Sequence, residues 1–449
     1  MAAAAETDKV TVALAQHLAG FRYEDLPAEV VSAARRGVLD WLGCALAGSR
    51  HSTLDILVST MHELDTQSGF NLIGRNDQSG LLSAALINGQ MGHVLDYDDT
   101  HMAGVVLHAS SPVLAALLAL AQMSGASGTD LIAAYVAGFE AGVRIGQASP
   151  GHHKGGWHLT GTLGTLAAGA ACAKLLRLDP QQFVHALGIA GTQAAGMQQN
   201  RGTMSKSFHA GKAASNGILA AKLAQRNFDS SDEIIEGSRG FCRIYSETAV
   251  PQAVLDELGQ RWEIVRNGHK PYACGVVLHP AIDALIGLRK QAGLDPAQVS
   301  EVELRVHPLV LSITGVVEPQ TGLKSKFSIY HCAAVALRDG AAGVAQYTDQ
   351  RARDPEIIAL RQKVKVHADD TLDNDEAYAR VVAGGREHTI HIDHAAGTVA
   401  NPMSDDAIRE KFMANAVPVV GADRAERICA WVAELEKQTD VRALMDLCA

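Results

Sequence analysis

Between Asn88 and Pro112 the chain carries an unusual density of polar chemistry. Asp96, Asp98 and Asp99, the hydroxyl of Thr100 and the imidazoles of His93, His101 and His108 fall within sixteen residues. Two chemistries use such a set. Carboxylates and imidazoles are the usual ligands of hard or borderline cations. Equally, an imidazole that titrates near neutrality, with carboxylates that set its tautomer and charge, is a general acid–base pair for a small anionic substrate.

The metal alternatives narrow on inspection. A calcium loop would need its turn glycine where His101 stands and its bidentate glutamate where Leu107 stands. No HExxH and no paired CxxC supports zinc, so no metal ligand set is assigned. A solvated Asp-rich loop capping the next helix is the plain alternative. Capping accounts for one or two of these residues, not for seven.

Other polar residues stand at helix starts and loop ends. His158 follows Gly-Gly-Trp157, Lys206 sits in the Ser/Thr-rich turn Gly202–Phe208, Lys270 lies in His269-Lys-Pro-Tyr-Ala-Cys274, and Tyr330 is in a short helix further on. Helix N-termini with nearby Lys or His make a carboxylate-binding pocket, because unpaired backbone donors and side-chain cations converge there. Taken singly, each has an ordinary reading: a hydrogen-bonded turn histidine, a solvated lysine, a half-buried tyrosine with a wet hydroxyl. His152, His153 and Lys154 read as a mobile loop tip and are left out of the set.

These residues must be held by helices. Apolar residues recur at helical spacing over 9–19 and 27–47, and a third helix over 81–94 delivers the polar segment. Ser111-Pro112 and Asp179-Pro180 are cap-plus-proline starts. Further helices are expected from Thr129 or Asp130 to Arg144, from His158 to about Leu176, and from the Lys206 turn to about Gln225. The pattern then changes. Residues 301–307 and 364–367 alternate as strands do, and 378–382 with 387–392 form a hairpin around Gly384-Gly385. Helices over 280–292 and 325–337 flank the first strand, and helices return over 405–415 and 424–435. The expected fold is mainly α: an all-helical domain from both chain ends (residues 1–265 and 398–449) with an inserted α+β domain (266–397).

A chain of 449 residues exceeds one core, and 47% apolar with 20% charged residues is an ordinary globular composition. The net charge of −10 argues against a nucleic-acid surface and requires any anionic substrate to be held by a local cationic pocket. Seven cysteines without paired spacing read as the reduced thiols of a cytoplasmic protein. No basic, then apolar, leader opens the chain, and the most apolar window, 113–123, is too short to span a bilayer. GxGxxG after a strand, GxxxxGK[ST] and GxSxG are all missing, so nothing suggests redox, phosphoryl-transfer or serine-nucleophile chemistry.

The ordered set Asp96-Tyr-Asp-Asp-Thr100, His108, Gly156-Trp-His158-Leu-Thr-Gly-Thr, Met204-Ser-Lys206, His269-Lys270-Pro-Tyr272 and Tyr330 resembles the MmgE/PrpD family across nearly the whole chain. That family includes 2-methylcitrate dehydratase, cis-aconitate decarboxylase and iminodisuccinate epimerase. The resemblance implies a helical domain with an α+β lid, a homodimer, no cofactor, and a small di- or tricarboxylate substrate. It also implies that Asp96, Thr100, His108, His158, Lys206, Lys270 and Tyr330 line a cleft between the domains. Removing a proton beside a carboxylate builds enediolate charge, so fixed cations are needed as well as a base. On that basis His158 is expected to be the base, His108 the acid, and Asp96 the group orienting an imidazole. Lys206 and Lys270, with Thr100, would hold substrate carboxylates, and Tyr330 would reach in from the lid. The eight-residue spacing from Thr100 to His108 resembles the dehydratases, whereas His101 and Ala109 depart from their pattern. A hydro-lyase is therefore the first reading, with epimerisation, decarboxylation or simple carboxylate binding as alternatives.

Overall fold

The computed structural model describes residues 9–449. They form two compact units: the residues up to Val94 with Asp98–Asn267 and Ser404–Ala449, and Leu95–Tyr97 with Gly268–Met403. The fold is mainly α with a smaller α+β part.

In the first unit, α1 (Val10–Gly20), α2 (Ala28–Gly48) and α3 (Ser52–Leu64) precede α4 (Leu81–His93), whose residues from Ser83 onward are all buried. Then come α5 (Ser110–Ser124), α6 (Gly128–Gln147), α7 (Leu159–Leu175), α8 (Pro180–Gly191) and α9 (Met204–Ala224). The local signals are physical ones. Ser127 with Asp130, and Asp179 with Gln182, form reciprocal capping boxes that satisfy orphan N–H groups, and Pro180 fills the first helical position of α8. Helix α7 buries every residue except Lys174 and packs against α5, α6, α8 and α9, as a helix apolar on all sides must.

Small residues set how closely these helices approach. A Cβ at Gly211 of α9 would lie 2.0 Å from the Leu86 carbonyl oxygen, and one at Gly89 of α4 would lie 2.7 Å from Gly211 Cα. Only glycine at both positions lets α4 and α9 touch backbone to backbone. Gln90 Nε2 then reaches Ser207 Oγ at 3.2 Å across the same contact.

The second unit has α10 (His279–Ala292) and α11 (Ile329–Asp339) with a four-stranded sheet of β1 (Val299–Val306), β2 (Val364–Ala368), β3 (Ala377–Ala383) and β4 (Arg386–Ile392). The strand order is β2-β1-β3-β4; β2 runs parallel to β1 and the other pairs are antiparallel. Val302, Leu304 and Val306 alternate inward with Ala379 and Val381, and α10 packs against β3 and β4. Gly384 and Gly385 close the expected hairpin at φ of 56° and 76°.

The chain then returns to the first unit as α12 (Asp405–Val420), which packs on α2, and α13 (Ala422–Ala433). Lys411 of α12 meets Asp40 of α2 at 2.7 Å with both side chains buried. No helix among the described residues is long and apolar enough to cross a membrane.

Several sequence expectations differ from the structure, and the turn expected around Lys206 is already helical from Met204. The helix over 52–64 was not expected, because its buried positions are few: Thr53, Leu54 and Val58. The helix expected from Ser325 begins at Ile329, after a separate turn, Gly322–Ser325, and Ser328 is its cap. The segment read as a mobile tip instead buries His152, which packs on Tyr245 at 4.8 Å and Phe241 at 5.6 Å and bonds Thr162 Oγ1 through Nε2.

That burial has a pH consequence. It pushes the His152 imidazole down to about 4, and burial likewise pushes His331 of the second unit to about 4. The unfolded chain takes up these protons at the ordinary histidine value, so stability is full above about pH 6.5 and falls as the pH drops toward 4. Each group is expected to cost roughly 2–3 kcal/mol by pH 4. Urea unfolding midpoints at pH 7.5, 6, 5 and 4 check this, and His152→Phe should flatten the first unit's share of the decline.

Candidate active site

In the first unit the polar segment after α4 folds back on its own helix. Asp98, fully buried, takes His93 Nδ1 at 2.8 Å and accepts the Ser111 hydroxyl at 2.7 Å, and its Oδ1 lies 3.6 Å from His108 Nδ1. Asp99 is also buried; its carboxylate accepts Ser110 Oγ and Asn267 Nδ2. His101 turns away from this group to Glu263 Oε2 at 3.2 Å. Glu263 is held in turn by Arg261 and by its own N–H donating to Glu140 Oε1, which anchors the segment to α6.

The tautomer of His108 follows from its partners. Nδ1 faces the Asp99 carbonyl oxygen at 2.9 Å and Thr100 Oγ1 at 3.1 Å. A carbonyl can only accept, so Nδ1 carries the proton, and a proton exchanged with a substrate would pass through Nε2.

His158 caps α7 and lies in the same cluster. Its ring stacks on His93 at 5.5 Å, and His93 and His108 are 4.7 Å apart. Its Nδ1 is 2.9 Å from Nδ1 of His209 on α9, while its Nε2 is buried without a hydrogen-bond partner. Burial holds this imidazole well below the usual histidine range, and Lys206, His93, His108 and His209 add to the effect. His158 is therefore neutral at pH 7 and able to accept a proton. Lys206, one helical turn before His209, is partly buried in the first turn of α9.

The second unit holds the other expected residues. Lys270 is buried and donates to Asp96 Oδ1 at 2.7 Å and to the Asp96 carbonyl at 3.0 Å. Asp96 has φ of 51°, a left-handed backbone that aspartate tolerates better than most side chains. Tyr97 O–H donates to the Pro271 carbonyl at 3.0 Å, so the three residues Leu95–Tyr97 are fastened to the 268–273 segment. Tyr330 is half-buried in the first turn of α11.

Asp96, expected to orient an imidazole, bonds Lys270, and Asp98 is a carboxylate that holds His93 and faces His108. Asp96 and Asp98, only two residues apart, belong to different units. Sequence reasoning also passed over His209 and the buried Lys326. Lys326 Nζ donates to the Ala273 carbonyl at 2.6 Å, and burial lowers it to about 8 against the opposing pull of Asp96. The available signal was Lys206-Ser-Phe-His209, two polar residues one helical turn apart.

Donor atoms of His93, Asp98 and His108 lie within 4.8 Å of one another, as do those of the more exposed Glu376, His391 and Asp393. Two imidazoles and a carboxylate in the first group, or one imidazole and two carboxylates in the second, could close on a divalent ion. In the buried group Nδ1 of both histidines is already committed to hydrogen bonds, so a cation would have to compete with them or use Nε2.

Comparison with known proteins fits this arrangement into a lineage. Residues 12–253 match the MmgE/PrpD N-terminal domain, and residues 272–437 match the MmgE/PrpD C-terminal domain. The chain belongs to the MmgE/PrpD family. It is 28% identical to a cis-aconitate decarboxylase of Aspergillus terreus, with 98% of this chain and 95% of the relative covered. The Mus musculus cis-aconitate decarboxylase is 27% identical over 98% of this chain and 93% of its own length. A 2-methylcitrate dehydratase of Cupriavidus necator is 25% identical over 82% and 79%. These MmgE/PrpD relatives are lyases by name, and the two decarboxylases span the chain nearly end to end.

Proposed function

We propose that this chain is a cofactor-independent lyase that moves a proton to or from the carbon beside a carboxylate of a small di- or tricarboxylic acid. The observation that carries the reading is the unpartnered, buried Nε2 of a neutral His158 in a cluster with a second imidazole, His108, whose Nδ1 carries its proton toward the Asp99 carbonyl. His158 takes the proton as base. His108, beside Asp98, donates to the departing group or returns a proton to carbon.

Lys206 and Lys270, with Thr100, are assigned to the substrate's carboxylates, and Tyr330 to the same task. Asp96 is the group that fixes Lys270. The family pattern supports these assignments, and with them a cytoplasmic homodimer. Two branches of the reaction each have support. The relatives covering most of the chain are named for decarboxylating cis-aconitate, whereas the Thr100 to His108 spacing favours loss of water, as in a 2-methylcitrate dehydratase.

Incubation with cis-aconitate and with 2-methylcitrate, following released CO2 and new alkene signals, separates them. Product from one acid is expected. Racemisation of malate or tartrate with no CO2 and no alkene from either would replace the lyase by an epimerase.

A further inference from the structure

His209 is the sixth residue of α9, and two glycines bring it against His158. A Cβ at Gly161 of α7 would lie 3.2 Å from His209 Cβ. Gly196, at φ of 144°, would place one 3.3 Å from His209 Nδ1, and its carbonyl accepts the His158 N–H at 3.1 Å. The same peptide therefore supports both rings.

Two Nδ1 atoms 2.9 Å apart hold one proton between them. If that proton is on His158, its Nε2 is a lone pair and His158 is a base. If it is on His209, His158 carries its proton on Nε2 and is a donor. The partner thus selects which chemistry His158 performs. His209 is half-buried, whereas His158 is 8% exposed, so the pair leads from the buried cluster toward solvent.

We propose that His209 is the positioning residue of His158: it accepts the Nδ1 proton, keeps Nε2 of His158 bare, and passes the abstracted proton on to solvent. This rests on His158 being the base in the proposed reaction. As the carbon–hydrogen bond breaks, its electron pair stays on the substrate as the enediolate and its proton goes to His158 Nε2. The proton on His158 Nδ1 moves to His209 Nδ1, and His209 Nε2–H is released to water. His158 is left neutral, with its proton on Nε2. The charged and titratable groups facing the pair are Lys206 and His93, with His108 also facing His158. The positive charge of Lys206 opposes cation build-up on either ring, which favours passing the proton on.

The test reads the tautomer in the protein without substrate, by 15N–1H NMR of histidine-labelled wild type, His209→Ala and His209→Asn. Asparagine places an amide oxygen where Nδ1 stood, so it can accept but cannot relay. Wild type and His209→Asn are expected to hold the Nδ1–H tautomer of His158, and His209→Ala to shift it to Nε2–H. With the acid that wild type turns over, His209→Ala should lose 10- to 100-fold in kcat with KM within twofold, as loss of an orienting partner does. His209→Asn should recover part of that loss. An unchanged His158 tautomer in His209→Ala would overturn the proposal, and so would a kcat for His209→Ala equal to that of wild type. The tautomer is read without turnover, so failure of every acid tried would count against the proposed reaction and not against this pairing.

Discussion

Replacing His158 with alanine is expected to lower kcat by about 10²–10⁴-fold, the usual worth of a positioned general base. The ring's side-chain hydrogen bond is to His209, and its backbone N–H to Gly196 survives the change, so α7 should keep its start. KM should move little, because the groups assigned to the substrate's carboxylates are untouched. The pH profile carries a second signature. With the wild-type His158 held well below the ordinary histidine range, the base stays neutral as the pH falls through 6.5, so its acid limb lies below that value. Turnover within tenfold of wild type in His158→Ala would overturn the assignment of His158 as the base.

The second large effect is on stability. Lys411→Met removes the cation facing Asp40 at 2.7 Å in the packed contact between α12 and α2 and leaves a buried carboxylate behind. A cost of about 3–5 kcal/mol is expected, the usual result of removing one partner from a buried ion pair. The double variant Asp40→Leu/Lys411→Met should recover most of the loss, because no buried carboxylate is then left behind. Urea unfolding of the three variants against wild type measures both. A change below 1 kcal/mol in Lys411→Met would mean that Asp40 is solvated in the folded protein.

What could be read in the sequence was local. Asp179-Pro180 announces a helix because the cap oxygen and the fixed proline φ act within one turn, and the Gly384-Gly385 hairpin is legible because only glycine takes two left-handed positions cheaply. His108, His158 and Lys270 stood out for their types and setting at helix starts and loop ends, and the structure gives each a defined partner. What could not be read was pairing across the fold. The bond from Asp98 to His93 is not announced by the run of aspartates, and the meeting of His158 with His209 depends on Gly161 and Gly196 removing side chains from the contact. His152 looked like a loop residue because its neighbours are glycines; its aromatic partners Phe241 and Tyr245 lie about ninety positions on in the chain.

The central claim is proton transfer at carbon by the histidine cluster, and its most direct test is NMR in D2O. Wild type and His158→Ala would each be incubated with cis-aconitate, 2-methylcitrate, citrate and both enantiomers of malate. The account predicts carbon-bound deuterium beside a carboxylate in at least one acid with wild type, and its loss with His158→Ala. A folded wild type that binds one of these acids in a thermal-shift assay, yet places no deuterium on carbon in any of them, would contradict the account and leave a carboxylate-binding protein.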